Sequence, residues 1–105
     1  SYTRATPVFV DCTSDTWQLD PSKIEEKITE RTKGIIGVHL YGQPFDYAGV
    51  KAVADKHGLF VVEDCAQAVG ATFEGRNVGT FAYGFAYGDT VLRFRFEHYL
   101  YAILV

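Results

Sequence analysis

The stretch Leu59-Phe60-Val61-Val62-Glu63-Asp64-Cys65-Ala66-Gln67-Ala68 decides the fold, because four apolar residues in a row deliver two carboxylates. An apolar run this short, ended abruptly by charge, reads as a buried strand whose carboxyl end opens on a crevice. Directly before it, Val50, Val53, Ala54 and His57 recur at helical spacing, and Gly58 stands where a left-handed residue stops a helix. His57 there would also favour the negative helix end.

Working outward toward the N-terminus, Gly34 to Leu40 (GIIGVHL) is a second apolar run of strand length, followed by a Tyr41-Gly42-Gln43-Pro44 loop. Asp20-Pro21-Ser22-Lys23-Ile24 carries a helix start, with Asp as cap and Pro at the first helical position. Ile24 and Ile28 share one face, so an amphipathic helix is expected from there to about Thr29–Thr32. Thr6 to Asp11 (TPVFVD) reads as the first strand, and as a buried one.

Strand, helix, strand, helix, strand predicts an α/β fold, three-layer α/β/α, with a mainly parallel sheet. Ligands of such sheets bind beyond the carboxyl ends of the strands, which here means residues 40–46 and 63–70. Ala71 to Gly79 reads as two extended pieces around a Glu74-Gly75-Arg76-Asn77 turn. Beyond Thr80 the chain changes character: Phe81-Ala82-Tyr83-Gly84 repeats at once as Phe85-Ala86-Tyr87-Gly88, and aromatics crowd the rest. Two units are expected, residues 1–81 as the α/β part and 82–105 as a divergent aromatic-rich tail.

Composition narrows the function classes. The 105 residues are 48% hydrophobic and 22% charged, in the range of an ordinary globular domain. A net charge of −3 without a Lys/Arg cluster argues against a nucleic-acid partner. The apolar stretch Tyr99–Val105 is too short to span a bilayer, so no membrane partner and a soluble, cytoplasmic protein are expected. Cys12 and Cys65 form no CxxC pair and read as reduced thiols.

Glu63 and Asp64 are the candidates for chemistry. A carboxylate leaving a buried strand needs a partner, since an unpaired buried charge costs several kcal/mol. A helix cap or a surface pair with Arg76 would serve, and so would a cationic ligand. A lone histidine at a strand end is most often hydrogen-bonded structure, so His39 is weighed first as that and then as a ligand contact. No metal site is assigned to His39, His57 and Glu63.

The words VHLYGQP, KHGLFVVEDCAQAVGA and GRNVGTF, in this order and at these separations, resemble the DegT/DnrJ/StrS family of sugar aminotransferases. The likeness runs from about Thr6 to Phe81. It implies the aspartate-aminotransferase-like fold, a partial large domain for pyridoxal 5′-phosphate (PLP), a homodimer in the complete enzyme and a nucleotide-linked keto sugar as substrate, with glutamate as amino donor. By the same resemblance Asp64 would face the pyridine nitrogen of PLP and keep it protonated, and Gln67 would hydrogen-bond the phenolic oxygen. Cys65 would be packing, and the loop His39–Pro44 would border the cofactor.

The family pattern breaks after Phe81. Members continue to a Phe-Ser-Phe-like strand and then the Schiff-base lysine, whereas the lysines here are Lys23, Lys27, Lys33, Lys51 and Lys56. A faint echo, Gly88-Asp89 and then Phe94-Arg95-Phe96, lacks the lysine, and His98 is out of register with relatives that use histidine in its place as sugar dehydratases. No catalytic residue is therefore assigned. Without that amine neither covalent attachment nor the usual proton transfer is available, and inactivity of this chain by itself is expected. A fragment, a frame-shifted reading after Phe81, or a non-catalytic α/β module that associates through a sheet edge would each account for the break.

Overall fold

A computed structural model describes residues 4–82, 84–86 and 102–104. Their elements are β1 (Pro7–Phe9), β2 (Gly34–Val38), α1 (Tyr47–His57), β3 (Phe60–Asp64), the short strands β4 (Thr72–Phe73) and β5 (Arg76–Asn77), then β6 (Gly84–Ala86) and β7 (Ala102–Leu104). The fold is α/β with parallel β2 and β3 at its centre, as expected from the sequence, and β6, from the tail to which the sequence assigns no element, adds a third parallel strand.

The described strands form a five-stranded sheet in the order β1-β7-β2-β3-β6. β2 and β3 pair parallel from Gly34 opposite Phe60 to Val38 opposite Asp64, and β6 continues parallel with Ala86 opposite Asp64. β7 runs antiparallel between β1 and β2, so the sheet is mixed. β1 is shorter than the expected strand and, with β7 as its sheet neighbour, is not buried: Phe9 is 58% exposed, and the first buried residue among those described is Val10. Of the tail, the echo at 88–96 and His98 lie outside the described residues.

The segment after Asp20 departs from the expected helix. Asp20 does cap, accepting from Ser22 N–H at 2.9 Å, but the chain makes two 3-10 turns, Pro21–Lys23 and Glu25–Lys27, and is extended again at Ile28. Thr32 Oγ1 accepts from Thr29 N–H and Thr29 Oγ1 from Arg31 N–H, so threonine hydroxyls capture the amides a continuing helix would need. A stretch this short also gains little from helix propagation. The face survives the change, since Ile24 is fully buried and Ile28 packs against the same core.

α1 matches the expectation more closely. Asp46 caps it by accepting from Gly49 N–H, and Gly58 ends it at φ 65°. Tyr47, Val50 and Ala54 are buried on its inner face. His57 keeps the spacing yet turns outward to Glu25, at 2.8 Å. The core consists of this face, Ile35 and Val61 of the central strands, and Val10, Leu19, Ile24 and Phe45. Each large apolar side chain buried there contributes about 1.5–3 kcal/mol.

Glu74 and Gly75, at φ 48° and 76°, form the two-residue turn of the β4–β5 hairpin, in which Phe73 faces Arg76. Positive φ at both turn residues suits the right-handed twist of the flanking strands. Arg76 and Asn77, expected in the turn, thus belong to β5. Val78 then packs against Cys65 and Ala68, which brings residues 79–82 back to the end of β3.

Candidate functional site

β2 and β3 end side by side, and His39 N–H donates to Asp64 C=O at 3.0 Å where the strands part. The two segments singled out from the sequence, 40–46 and 63–70, meet there. Tyr41 N–H donates to Gln67 Oε1 at 2.9 Å, tying the loop after β2 to the loop after β3. Tyr41 is held at φ 55°, unusual for a bulky residue, and is 72% exposed.

Asp64 is half-buried. Its Oδ1 accepts from Ala66 N–H at 3.0 Å, which fixes the carboxylate at the start of the turn that follows the strand. Among the described residues it makes no ion pair. Arg76, weighed as its surface partner, instead donates to Thr80 C=O and lies over the Phe81 ring, 4.3 Å from its centroid. Gln67 is exposed, and because its carbonyl oxygen is engaged by Tyr41, its NH₂ group is the end left to donate outward.

Glu63, one residue before Asp64, points to the opposite side of the strand and is completely buried. Its Oε1 accepts from Phe81 N–H at 2.9 Å and Ala82 N–H at 2.8 Å. Its Oε2 accepts from Gly79 N–H at 2.7 Å and lies 3.2 Å from His39 Nε2. Phe45 N–H donates to His39 Nδ1, so that nitrogen carries the lone pair and Nε2 carries the proton given to Glu63. His39 is also buried, stacked on Phe45 with ring centroids 4.5 Å apart, and Phe45 comes this close because position 37 is glycine. A Cβ at Gly37 would lie 2.5 Å from the Phe45 ring.

Burial pushes the Glu63 carboxyl up, but the His39 hydrogen bond and the Gly79, Ala82 and Phe81 amides outweigh it and hold the group below its ordinary 4.5. Cys65 goes the other way: burial, then the charges of Glu63 and Asp64, push its thiol up to about 12. It is an inert packing residue. His39, Glu63 and Cys65 have potential ligand atoms within 4.8 Å of one another, a spacing that could hold a metal ion. The donor set does not suit one: both histidine nitrogens and both carboxylate oxygens are engaged, and the thiol resists ionisation. His57, considered with them in the sequence, lies instead against Glu25 on the surface.

The sequence picked out Asp64 and Gln67, and the structure brings both to the carboxyl end of β3. It did not pick out Glu63 and His39 as a pair. The signal available was that Glu63 and Asp64 must face opposite ways in a strand, so one carboxylate had to enter the interior.

Comparison with known proteins agrees with this fold. The family model described as the DegT/DnrJ/EryC1/StrS aminotransferase family matches residues 1–87. The GDP-perosamine synthase of Escherichia coli O157:H7 is 52% identical over 80 residues, covering 76% of this chain and 22% of that enzyme. Among solved structures, the aminotransferase from Psychrobacter cryohalolentis superposes with a TM-score of 0.73 at 50% identity, over 76% of this chain and 21% of that one. NtdA from Bacillus subtilis, solved with bound cofactor PMP, has a TM-score of 0.61 at 43% identity, over 62% and 15% of the two chains. The chain thus spans about a fifth of the length of the relatives it matches. No described helix is long and apolar enough to cross a membrane.

Proposed function

Since this chain belongs to the DegT/DnrJ/EryC1/StrS aminotransferase family, we propose that it supplies part of the cofactor domain for PLP-dependent transfer of an amino group to a nucleotide-linked keto sugar. Glutamate as donor, a homodimeric assembly and a cytoplasmic setting belong to the same reading. The observation that carries it is the pair Asp64 and Gln67 at the carboxyl end of the parallel strands, where Gln67 is tied to the loop after β2.

The residues present fit the cofactor. Among the described residues Asp64 is a half-buried carboxylate without an ion-pair partner, suited to a protonated ring nitrogen, and Gln67 is exposed with its NH₂ group left to donate, suited to a phenolic oxygen. PLP, when bound, would supply an electron-accepting pyridinium ring. Asp64 would hold the proton on the ring nitrogen, because an anion beside a cation favours the charged form. Gln67 would fix the ring plane, with the Tyr41 amide preventing its side chain from rotating away.

The amine for covalent attachment is a separate matter. Lys23, Lys51 and Lys56 pair on the surface with Asp11, Asp55 and Glu25, and no lysine follows Thr80 in these 105 residues. We expect PLP to bind this chain reversibly and to leave no absorbance that survives dialysis after borohydride reduction. Equilibrium dialysis with Asp64→Asn should show affinity reduced roughly tenfold or more, the worth of one charge-assisted hydrogen bond. Unchanged affinity in both Asp64→Asn and Gln67→Ala would remove the assignment.

A further inference from the structure

The amides of Gly79, Phe81 and Ala82 converge on one buried carboxylate that belongs to the chain itself. Such a cluster of backbone N–H groups is an anion-binding concavity. Here its anion is Glu63, and the segment 79–82 is wrapped around it. That segment leads directly into β6, which lies beside Asp64. On its other side Glu63 accepts from His39, and His39 in turn accepts from the Phe45 amide at the far end of the 40–45 loop. One charge thus connects the chain on both flanks of the β3 carboxyl end.

We infer that Glu63 and His39 are a positioning couple: the Glu63 charge fixes the 79–82 turn directly and the 40–45 loop through His39, and so sets the walls between which Asp64 and Gln67 meet a ligand. Glu63 touches no ligand itself, since it is buried on the opposite side of β3. The inference rests on the assignment of Asp64 and Gln67 to cofactor binding only for the nature of that ligand. Both nitrogens of His39 are needed in fixed roles, one accepting and one donating, which a purely space-filling residue would not require.

The groups facing Glu63 are His39 from the end of β2, Tyr47 from α1, and Cys65 just beyond β3; Asp64 lies on the other side of the strand. Tyr47 feels the charge, its hydroxyl being pushed up by burial and then by Glu63. The first test uses the unaltered chain. In an acid titration followed by amide NMR, the Gly79, Phe81, Ala82 and Phe45 resonances should move together with a single midpoint below 4.5. Phe45 is the decisive one, because its amide is bonded to His39 and not to Glu63. A Phe45 amide that stays still while the other three move, or four unrelated midpoints, would overturn the couple.

The second test uses Glu63→Gln, which replaces one accepting oxygen with a donor. Hydrogen exchange at positions 79, 81, 82 and 45 should accelerate about tenfold or more relative to Ile35 and Val61 in the central strands. Equal acceleration everywhere would mean a general loss of the fold and would contradict selective positioning. PLP dialysis separates this inference from the proposed function. If the unaltered chain binds PLP and Asp64→Asn weakens it while Glu63→Gln does not, the positioning role is wrong. If the unaltered chain does not bind PLP, the functional reading falls, and the amide measurements still decide the couple.

Discussion

Glu63 and Asp64 are neighbours in sequence and opposites in environment. Glu63 is fully buried with four donors on its two oxygens, whereas Asp64 is half-buried with one amide on one oxygen. Alternation along a strand separates them by the width of the sheet surface, and the same side-chain chemistry then serves two ends. A saturated carboxylate organises protein, and one that has a single partner among the described residues is available to something else.

The largest expected effect breaks the saturated side. Glu63→Ala leaves three amides and His39 without their acceptor, and loss of one partner from a buried charged network costs about 3–5 kcal/mol. Against the 5–15 kcal/mol typical of a whole domain, roughly, the urea midpoint should fall steeply or the transition should vanish. A midpoint close to that of the unaltered chain would mean that water fills the site and the contrast between the two carboxylates is shallow.

The acid limb of stability sharpens the same contrast. Glu63 is held below its unfolded value, so its contribution is fully present above about pH 4.5 and is lost as pH falls through the lower folded value. Asp11, Asp15 and Glu25 are also held low, Asp11 first by the Cys12 amide, Asp15 by the Thr13 hydroxyl and Glu25 by Lys56, so the slope of the unaltered chain is a sum. Unfolding midpoints measured from pH 6 down to pH 3, roughly the span over which carboxylates titrate, should be flatter for Glu63→Gln than for the unaltered chain. An identical slope would show that the surface carboxylates alone set it.

Gly37→Ala comes next and reaches the saturated side indirectly. The new Cβ would meet the Phe45 ring, and Phe45 stacks on His39, so the methyl group is felt through two rings by the Glu63 network. Overpacking of this kind costs about 1–3 kcal/mol. Thermal melting of the variant should show a loss within that range, and no loss would mean that Phe45 moves aside freely.

How much of this was legible in the sequence follows from which interactions are local. α1 was readable because its apolar spacing, its Gly58 stop and its tertiary role agree. The segment after Asp20 was not, because the cap and the Ile24/Ile28 face were correct while threonine hydroxyls nine and twelve residues beyond Asp20 decided the backbone. Asp64 and Gln67 could be assigned because they stand within one continuous word whose resemblance to known enzymes is specific. The partners of Glu63 lie 16 to 19 residues later and 24 residues earlier in the chain, so only the folded sheet brings them together. β7, which separates β1 from β2, was equally invisible, since nothing local in Ala102-Ile103-Leu104 names its neighbours.

The smallest stability effect belongs to Asp64, and it is the most telling. In Asp64→Asn the side-chain oxygen still accepts from Ala66 N–H, and the residue is half exposed, so the unfolding free energy should change by less than about 0.5 kcal/mol. A larger loss would place Asp64 with Glu63 among groups that hold the fold, and its assignment to a ligand would lose its main support. A near-zero change in stability together with weakened PLP binding would instead separate the two carboxylates by function as cleanly as the sheet separates them in space. That outcome is expected because a site built for a cation gains nothing from its carboxylate until the cation arrives.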